Sequence, residues 1–246
     1  MAVPEGPYQI LGDALLLKDP RDRVRAREFL REFPRCRRVL FYRGISRGPL
    51  RTPQAEVLAG DGGETVVREN GCLYSLDLTR VMFSPGNLSE RARMAEAVGP
   101  GEVVVDMFAG IGYFALPMAR SGKPRKIHAL EVNPDSYRFL VRNLPLNRVG
   151  NVDARLGDCR ATCPAGVADR VVMGHLDSAF ALETALRALR GGGWLHYHEG
   201  VPERVLRRPL ERLRRIAPRA RTSLRRLKKY APGVWHVVVD AEVPGR

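Results

Sequence analysis

From about residue 99 onward, short apolar runs alternate with stretches of helical spacing. Val103-Val104-Val105, Ile127 to Leu130 and Ala168 to Met173 read as strands buried on both faces of a parallel sheet, and Asn151 to Leu156 and Trp194 to Glu199 as two more. Between them, Tyr113 to Arg120, Pro134 to about Leu144, and Asp177 to Arg190 repeat apolar positions at helical intervals. Asn133-Pro134 opens the second of these, and Gly191-Gly192-Gly193 reads as the stop of the third. Pro202 to Ile216 predicts a further helix. Leu224 to Tyr230 and Trp235 to Val243 predict a closing antiparallel pair around Pro232-Gly233. Strands that alternate with helices in this way predict a seven-stranded α/β domain of the Rossmann-like kind.

The first part of the chain has a different rhythm. Ala14 to Leu17 and Val39 to Tyr42 read as short strands, with a helix over Pro20 to Phe33 that Pro34 ends. Gly44 to Pro53 is a glycine- and proline-rich loop in a stretch that carries Arg43, Arg47 and Arg51. Glu64 to Asn70 and Cys72 to Leu78 predict a hairpin around Glu69-Asn70-Gly71. The expected organisation is a small α+β module over residues 1–80, a connecting segment and helix over 81–98, and the larger domain over 99–246. In the connector, Ser84 or Asn87 is placed to cap a helix from Leu88 to Val98. Ser84, Asn87 and Arg91 read equally well as capping and solvated groups or as the lining of a pocket.

Charge changes the picture more than composition does. With 41 Lys and Arg against 27 Asp and Glu, the net charge is +14. An enzyme for small neutral substrates has no use for that excess, and most of it is arginine, which pairs with phosphate in a bidentate way. Lys18 to Arg51 holds twelve basic residues against four acidic ones, and Arg204 to Tyr230 twelve against the single acid Glu211. Both stretches predict a nucleic-acid surface. No run approaches the roughly 18 apolar residues of a membrane span, and MAVPEGPYQI lacks the features of a signal peptide. A soluble, cytoplasmic protein is expected. Cys36, Cys72, Cys159 and Cys163 predict reduced thiols; Cys159 and Cys163 are close, but no second Cys/His pair at metal-ligand spacing accompanies them.

The chemistry concentrates between Glu102 and Pro134. Asp106 ends the first parallel strand, Ala109-Gly110-Ile111-Gly112 form a tight turn, and Glu131 ends the second strand. Glycines at that turn let backbone approach a ligand, and an acid after the second strand suits ribose hydroxyls. A dinucleotide site needs G-x-G-x-x-G, and the third glycine is absent. Asp106 repels a pyrophosphate and welcomes an ammonium. The D-x-F-x-G-x-G form fits S-adenosylmethionine, which carries an amino group, a sulfonium and a ribose, and no phosphate. Asp158, after the third strand, is placed to reach the adenine amino group or to stand as a solvated loop acid. Gly174-His175-Leu176 ends the fourth strand, where a substrate would meet the cofactor. His196 and His198 read as structural, since no serine or cysteine nucleophile is arranged with them, and no general base is evident.

Several longer motifs point further: MFSPGNLSER (Met82 to Arg91), VVVDMFAGIGYFALPMA (Val103 to Ala119), ALEVNP (Ala129 to Pro134), ADRVVMGHL (Ala168 to Leu176), LHYHEGVPE (Leu195 to Glu203) and KKYAPGVWHVVVD (Lys228 to Asp240). With them the chain resembles the archaeal-type tRNA wybutosine-synthesis aminocarboxypropyltransferases, relatives of the tRNA guanosine-37 N1-methyltransferases. The resemblance implies a class I S-adenosylmethionine-dependent fold and transfer of the 3-amino-3-carboxypropyl group to C7 of a 4-demethylwyosine-type base at position 37, in the anticodon loop of phenylalanine tRNA. A monomer without a metal is expected. It puts Ser84, Arg91, Glu131, Asp158 and Cys159 at cofactor positions, with cysteine where the family carries asparagine. Arg91 would then face the cofactor's carboxylate. The methyltransferases resemble S-P-R in the connector and M-N-L-P after strand four, whereas this chain has Ser84-Pro85-Gly86 and Met173-Gly174-His175-Leu176. The alternatives are an N1-guanosine methyltransferase, an RNA-binding protein with a vestigial nucleoside pocket, and a small-molecule methyltransferase, the last disfavoured by the basic stretches.

Overall fold

A computed structural model describes residues 8–46, 48 and 50–245. Arg47 of the basic loop and the opening MAVPEGP lie outside the described residues. The larger domain is built on a seven-stranded sheet of β7 (Val103–Asp106), β8 (Lys126–Glu131), β9 (Val152–Leu156), β10 (Ala168–Met173), β11 (Leu189–Pro202), β12 (Arg221–Ala231) and β13 (Val234–Val243). Their spatial order is β12-β13-β11-β10-β7-β8-β9, parallel from β11 to β9, with β13 antiparallel to both its neighbours. The order reverses between β7 and β10, so their carboxyl ends open a crevice where such sheets bind ligands. Helices α3 (Ala115–Arg120), α4 (Pro134–Leu146), α5 (Cys159–Thr162), α6 (Leu182–Ala188) and α7 (Arg208–Ile216) follow successive strands, and α2 (Leu88–Ala97) leads into β7. Val103 to Asp106 are all buried, as the unbroken apolar run requires.

Before this domain, β1 (Tyr8–Leu11), β2 (Ala14–Leu17), β3 (Arg38–Ile45) and β4 (Pro53–Gly60) form a four-stranded sheet, with α1 (Ala26–Glu32) packed against β3 and β4. The hairpin β5 (Glu64–Glu69) and β6 (Cys72–Asp77) turns at Asn70 and Gly71, whose positive φ of 49° and 72° suit a tight hairpin. It docks on α4 through two buried asparagines. Asn143 and Asn147 accept from the backbone N–H of Ser75 and Leu73 at 2.8 Å each and donate back to the carbonyls of the same residues. The free edge of β6 is satisfied this way. One apolar core runs through Leu16 and Leu40 of the small sheet, Tyr74 and Leu76 of the hairpin, and Ile111, Leu116 and Phe139 of the large domain.

Four local readings change. The helix over Pro20 to Phe33 is α-helical only from Ala26; Pro20 to Arg25 is a 3-10 stretch whose cap is Asp19. Strands β1 and β4, which no local sequence pattern predicts, complete the small sheet, β4 beginning at Pro53 where the loop ends. Neither Ser84 nor Asn87 caps α2 with its side chain; Asn87 stands at the N-cap position without such a bond. The three glycines do not stop α6, which ends at Ala188; they lie inside β11. Gly193 is needed there because a Cβ would sit 2.2 Å from the Asp169 carbonyl oxygen of the preceding strand.

Candidate active site

The crevice at the ends of β7 and β10 deepens into a cavity of about 570 Å³, closed on one side by the small sheet and on another by the β12–β13 hairpin. That is the size of a pocket for a nucleoside-sized ligand. Of the sequence-predicted residues, Ser84, Asn87, Arg91, Gly110, Glu131, Asp158 and Cys159 line it together with Gly174, His175 and Leu176, while Asp106 and Gly112 are not part of its lining.

Glu131, at the end of β8, is held by two backbone donors. Its Oε2 accepts from Gly110 N–H and its Oε1 from Asn133 N–H, both at 2.7 Å. Each oxygen keeps a lone pair for a further donor. Burial raises its pKa. Asp106 is fully buried, one oxygen taking a weak bond from Phe108 N–H and the other without a partner. Burial, with the Glu131 charge as a lesser influence and against the opposing backbone bonds, pushes its pKa up to about 7. Asp158 caps α5 and is gripped by the Arg160 side chain, which holds its carboxyl down at about 2. Burial pushes the Cys159 thiol up to about 12, so it stays protonated.

Arg91 is not free in this cavity. Its guanidinium meets Glu69 at 2.5 Å, both side chains almost wholly buried, donates to the Ser84 carbonyl at 2.9 Å, and lies over the Tyr113 ring at 4.5 Å. The charge that was expected to face a carboxylate is already matched by one. Another cation reaches the cavity instead. Lys228 extends from β12, and a Cβ on Gly86 would lie 2.4 Å from its Nζ. Lys228 thus fills space that a side chain at position 86 would take.

Opposite Glu131, His175 stacks on Phe108 with ring centroids 5.5 Å apart. Its Nδ1 accepts from Asp177 N–H at 3.1 Å, which leaves the hydrogen on Nε2. That Nε2 is buried and has no partner among the described residues. Phe180, half exposed, meets Phe108 edge-on. Arg51, in the loop between β3 and β4, reaches Tyr230 Oη at 3.4 Å across the cavity mouth. Lys228, His236 and Arg51 reach the cavity from β12, β13 and the loop between β3 and β4, and Glu69 meets Arg91 from β5, approaches that no local sequence pattern reveals. Only the KKYAPGVWH motif signalled two of them. Among the described residues no group of three or more His, Cys, Asp or Glu is arranged to hold a metal ion. No helix of the described residues is long and apolar enough to cross a membrane.

The basic stretch Arg204 to Tyr230 divides in two. Arg208 and Arg212 are spent on Glu199, at 2.6 and 2.9 Å, and Lys228 faces the cavity. The other nine basic residues, among them Arg214, Arg215, Arg225 and Lys229, are exposed on α7, β12 and the turns beside them.

Comparison with known proteins agrees with this geometry. The sequence model of the TRM5/TYW2 methyltransferase domain matches residues 65–225. A Methanocaldococcus jannaschii protein named tRNA(Phe) (4-demethylwyosine(37)-C(7)) aminocarboxypropyltransferase is 42% identical over 96% of this chain and 97% of its own. The tRNA (guanine(37)-N(1))-methyltransferase Trm5b of Pyrococcus abyssi is 32% identical over 96% of this chain and 74% of its own. Among solved structures, P. horikoshii TYW2 in complex with MeSAdo superposes with a TM-score of 0.84 at 36% identity, covering 98% of this chain and 91% of that one. The chain belongs to the TRM5/TYW2 family.

Proposed function

We propose that the protein transfers the 3-amino-3-carboxypropyl group of S-adenosylmethionine to C7 of the 4-demethylwyosine base at position 37 of tRNA-Phe, with 5′-methylthioadenosine as the second product. One observation carries this reading. The likeness to an aminocarboxypropyltransferase is the stronger and runs through nearly all of both chains, whereas that to a methyltransferase is weaker and leaves a quarter of that enzyme unmatched. Gly86 and Gly174 stand where the methyltransferase pattern has its arginine and asparagine, which agrees.

The donor set suits S-adenosylmethionine. Glu131 would accept from the ribose hydroxyls, the Gly110 turn would pass beside the ribose, and Asp158 with the Cys159 backbone would meet the adenine edge. Ser84 and Arg91 line the connector side, and Asp106 and Gly112 support the turn from behind. When bound, S-adenosylmethionine supplies an electrophilic methylene beside its sulfonium. Lys228 is the cation best placed to draw the amino-acid carboxylate toward Gly86, which turns that methylene, rather than the methyl, toward the substrate. Positional control of this kind is a strong lever for an enzyme.

The base would stack on the Phe108–His175 wall, with the unpartnered His175 Nε2–H as a donor for its acceptor edge. The exposed arginines of α7 and β12 would follow the phosphates of the anticodon loop, with the protein acting as a monomer in the cytoplasm. Residues 1–80 would form one wall and 99–246 the transferase domain, joined by 81–98. Chromatography of the small-molecule product tests the reaction. 5′-Methylthioadenosine is expected, and S-adenosylhomocysteine would point to methyl transfer.

A further inference from the structure

A chain of three buried groups ends at the cavity. Glu90 of α2 is fixed by Arg93, which holds it at 2.5 Å. His198 of β11, completely buried, turns its Nε2 toward Glu90 Oε1 at 3.6 Å and its Nδ1 toward His236 Nε2 at 2.9 Å. His236 of β13 lines the cavity, directly across the strand pair from Lys228.

His198 Nε2 has no hydrogen-bond partner among the described residues, so the nearby Glu90 charge, and not a bond, selects the tautomer. A negative carboxylate 3.6 Å away favours a hydrogen over a lone pair on the nitrogen that faces it, so a neutral His198 carries its hydrogen on Nε2. His198 Nδ1 is then a lone pair and accepts from His236, which must carry its hydrogen on Nε2. The remaining nitrogen of His236, Nδ1, is left unprotonated. Burial, aided by Lys228 and Arg51, holds the His236 pKa down at about 4, so the ring stays neutral at working pH. Burial and the neighbouring histidines also hold His198 well below the ordinary histidine range.

Substitution at C7 creates a need for such a nitrogen. C7 bonds to the incoming methylene carbon as the bond from that carbon to sulfur breaks, its electron pair staying on sulfur. C7 is then tetrahedral, still bears its hydrogen, and the ring is cationic. The C7–H bond must break, its electron pair restoring the aromatic ring, and a proton must be accepted. We propose that His236 Nδ1 accepts this proton, with His198 and Glu90 as positioning residues that hold the ring in the receptive tautomer; the assignment rests on the functional reading above. A proton acceptor of low basicity is enough, because a cationic, tetrahedral ring carbon is a strong acid.

Two measurements test it. In the free protein, long-range proton–nitrogen NMR correlations should show His236 protonated on Nε2 and bare on Nδ1 at neutral pH; the opposite tautomer overturns the assignment. Single-turnover transfer to tRNA carrying deuterium at C7 should show little isotope effect in the wild type. In His236→Gln it should slow by about 10²- to 10⁴-fold and show a primary isotope effect, while S-adenosylmethionine affinity is kept. A His236→Gln protein that transfers at the wild-type rate without an isotope effect overturns it. If His236→Gln does not fold, the tautomer of the wild type still decides. A wild type that transfers no aminocarboxypropyl group at all overturns the functional reading instead.

Discussion

Arg91 and Glu69 form an ion pair at 2.5 Å in the wall of the cavity, with side chains only 3% and 4% exposed. The pair joins α2 to the hairpin strand β5, so one contact ties the connector to the module before it. Removing one partner strands a buried charge, which costs about 3–5 kcal/mol. Glu69→Gln should therefore lower the unfolding free energy by that order in denaturant titration. Arg91→Ala should do the same, and its loss of S-adenosylmethionine affinity in calorimetry should accompany that loss of stability. Unchanged affinity in Arg91→Ala would remove the residue from the binding site.

Asp106 predicts a pH dependence. Its carboxyl is raised to about 7 in the fold from an unfolded value near 3.8. The folded state thus holds the proton more tightly, and the stability from this group is present below about pH 4 and lost as pH rises to about 7. At about 1.4 kcal/mol per pKa unit, the upper bound is about 4 kcal/mol. Asp106→Asn should flatten the fall in stability between pH 4 and 7. A fall unchanged by the substitution would assign it to other groups.

Gly174 separates this site from the methyltransferase pattern. A Cβ there would lie 2.5 Å from the Phe114 ring, which itself packs against His198 with centroids 5.5 Å apart. Gly174→Asn should cost about 1–3 kcal/mol through overpacking and should not convert the protein to methyl transfer. Thermal unfolding and product analysis would check both parts.

His175→Phe keeps a ring over Phe108 and removes the Nε2 donor. Transfer to tRNA should fall roughly 10-fold, the scale of one lost hydrogen bond, with S-adenosylmethionine affinity unchanged. No effect on transfer would remove His175 from base recognition.

The exposed arginines predict a steep salt dependence. Charge reversal at Arg215 and Arg225 should weaken tRNA binding and reduce the slope of log K against log salt by about 0.7–0.9 per lost phosphate contact. Arg208→Ala, which instead breaks a bond to Glu199, should act first on stability. Equal slopes in wild type and the reversed variant would place the RNA elsewhere.

The large domain was legible because its parallel strands are continuous apolar runs and its turn chemistry is local: Asp106, Gly110 and Glu131 sit within one βαβ unit. The walls of the cavity were not legible. Glu69 looked like a hairpin residue and Lys228 like one cation in a basic run, since their partners Arg91 and Gly86 are far away in sequence. Strand β4 was missed because its pairing with β3 crosses a proline- and glycine-rich loop. His198 and His236 stand 38 residues apart and meet only because β11 and β13 are neighbours in the sheet.

The central claim is that the amino-acid arm of the cofactor, and not its methyl, faces the substrate base. S-adenosylmethionine labelled separately in the carboxyl carbon and in the methyl tests it directly on tRNA-Phe bearing 4-demethylwyosine. The carboxyl label should enter the tRNA while the methyl label leaves with the nucleoside by-product. Methyl label in the tRNA, with the carboxyl label left in the small-molecule fraction, would contradict it.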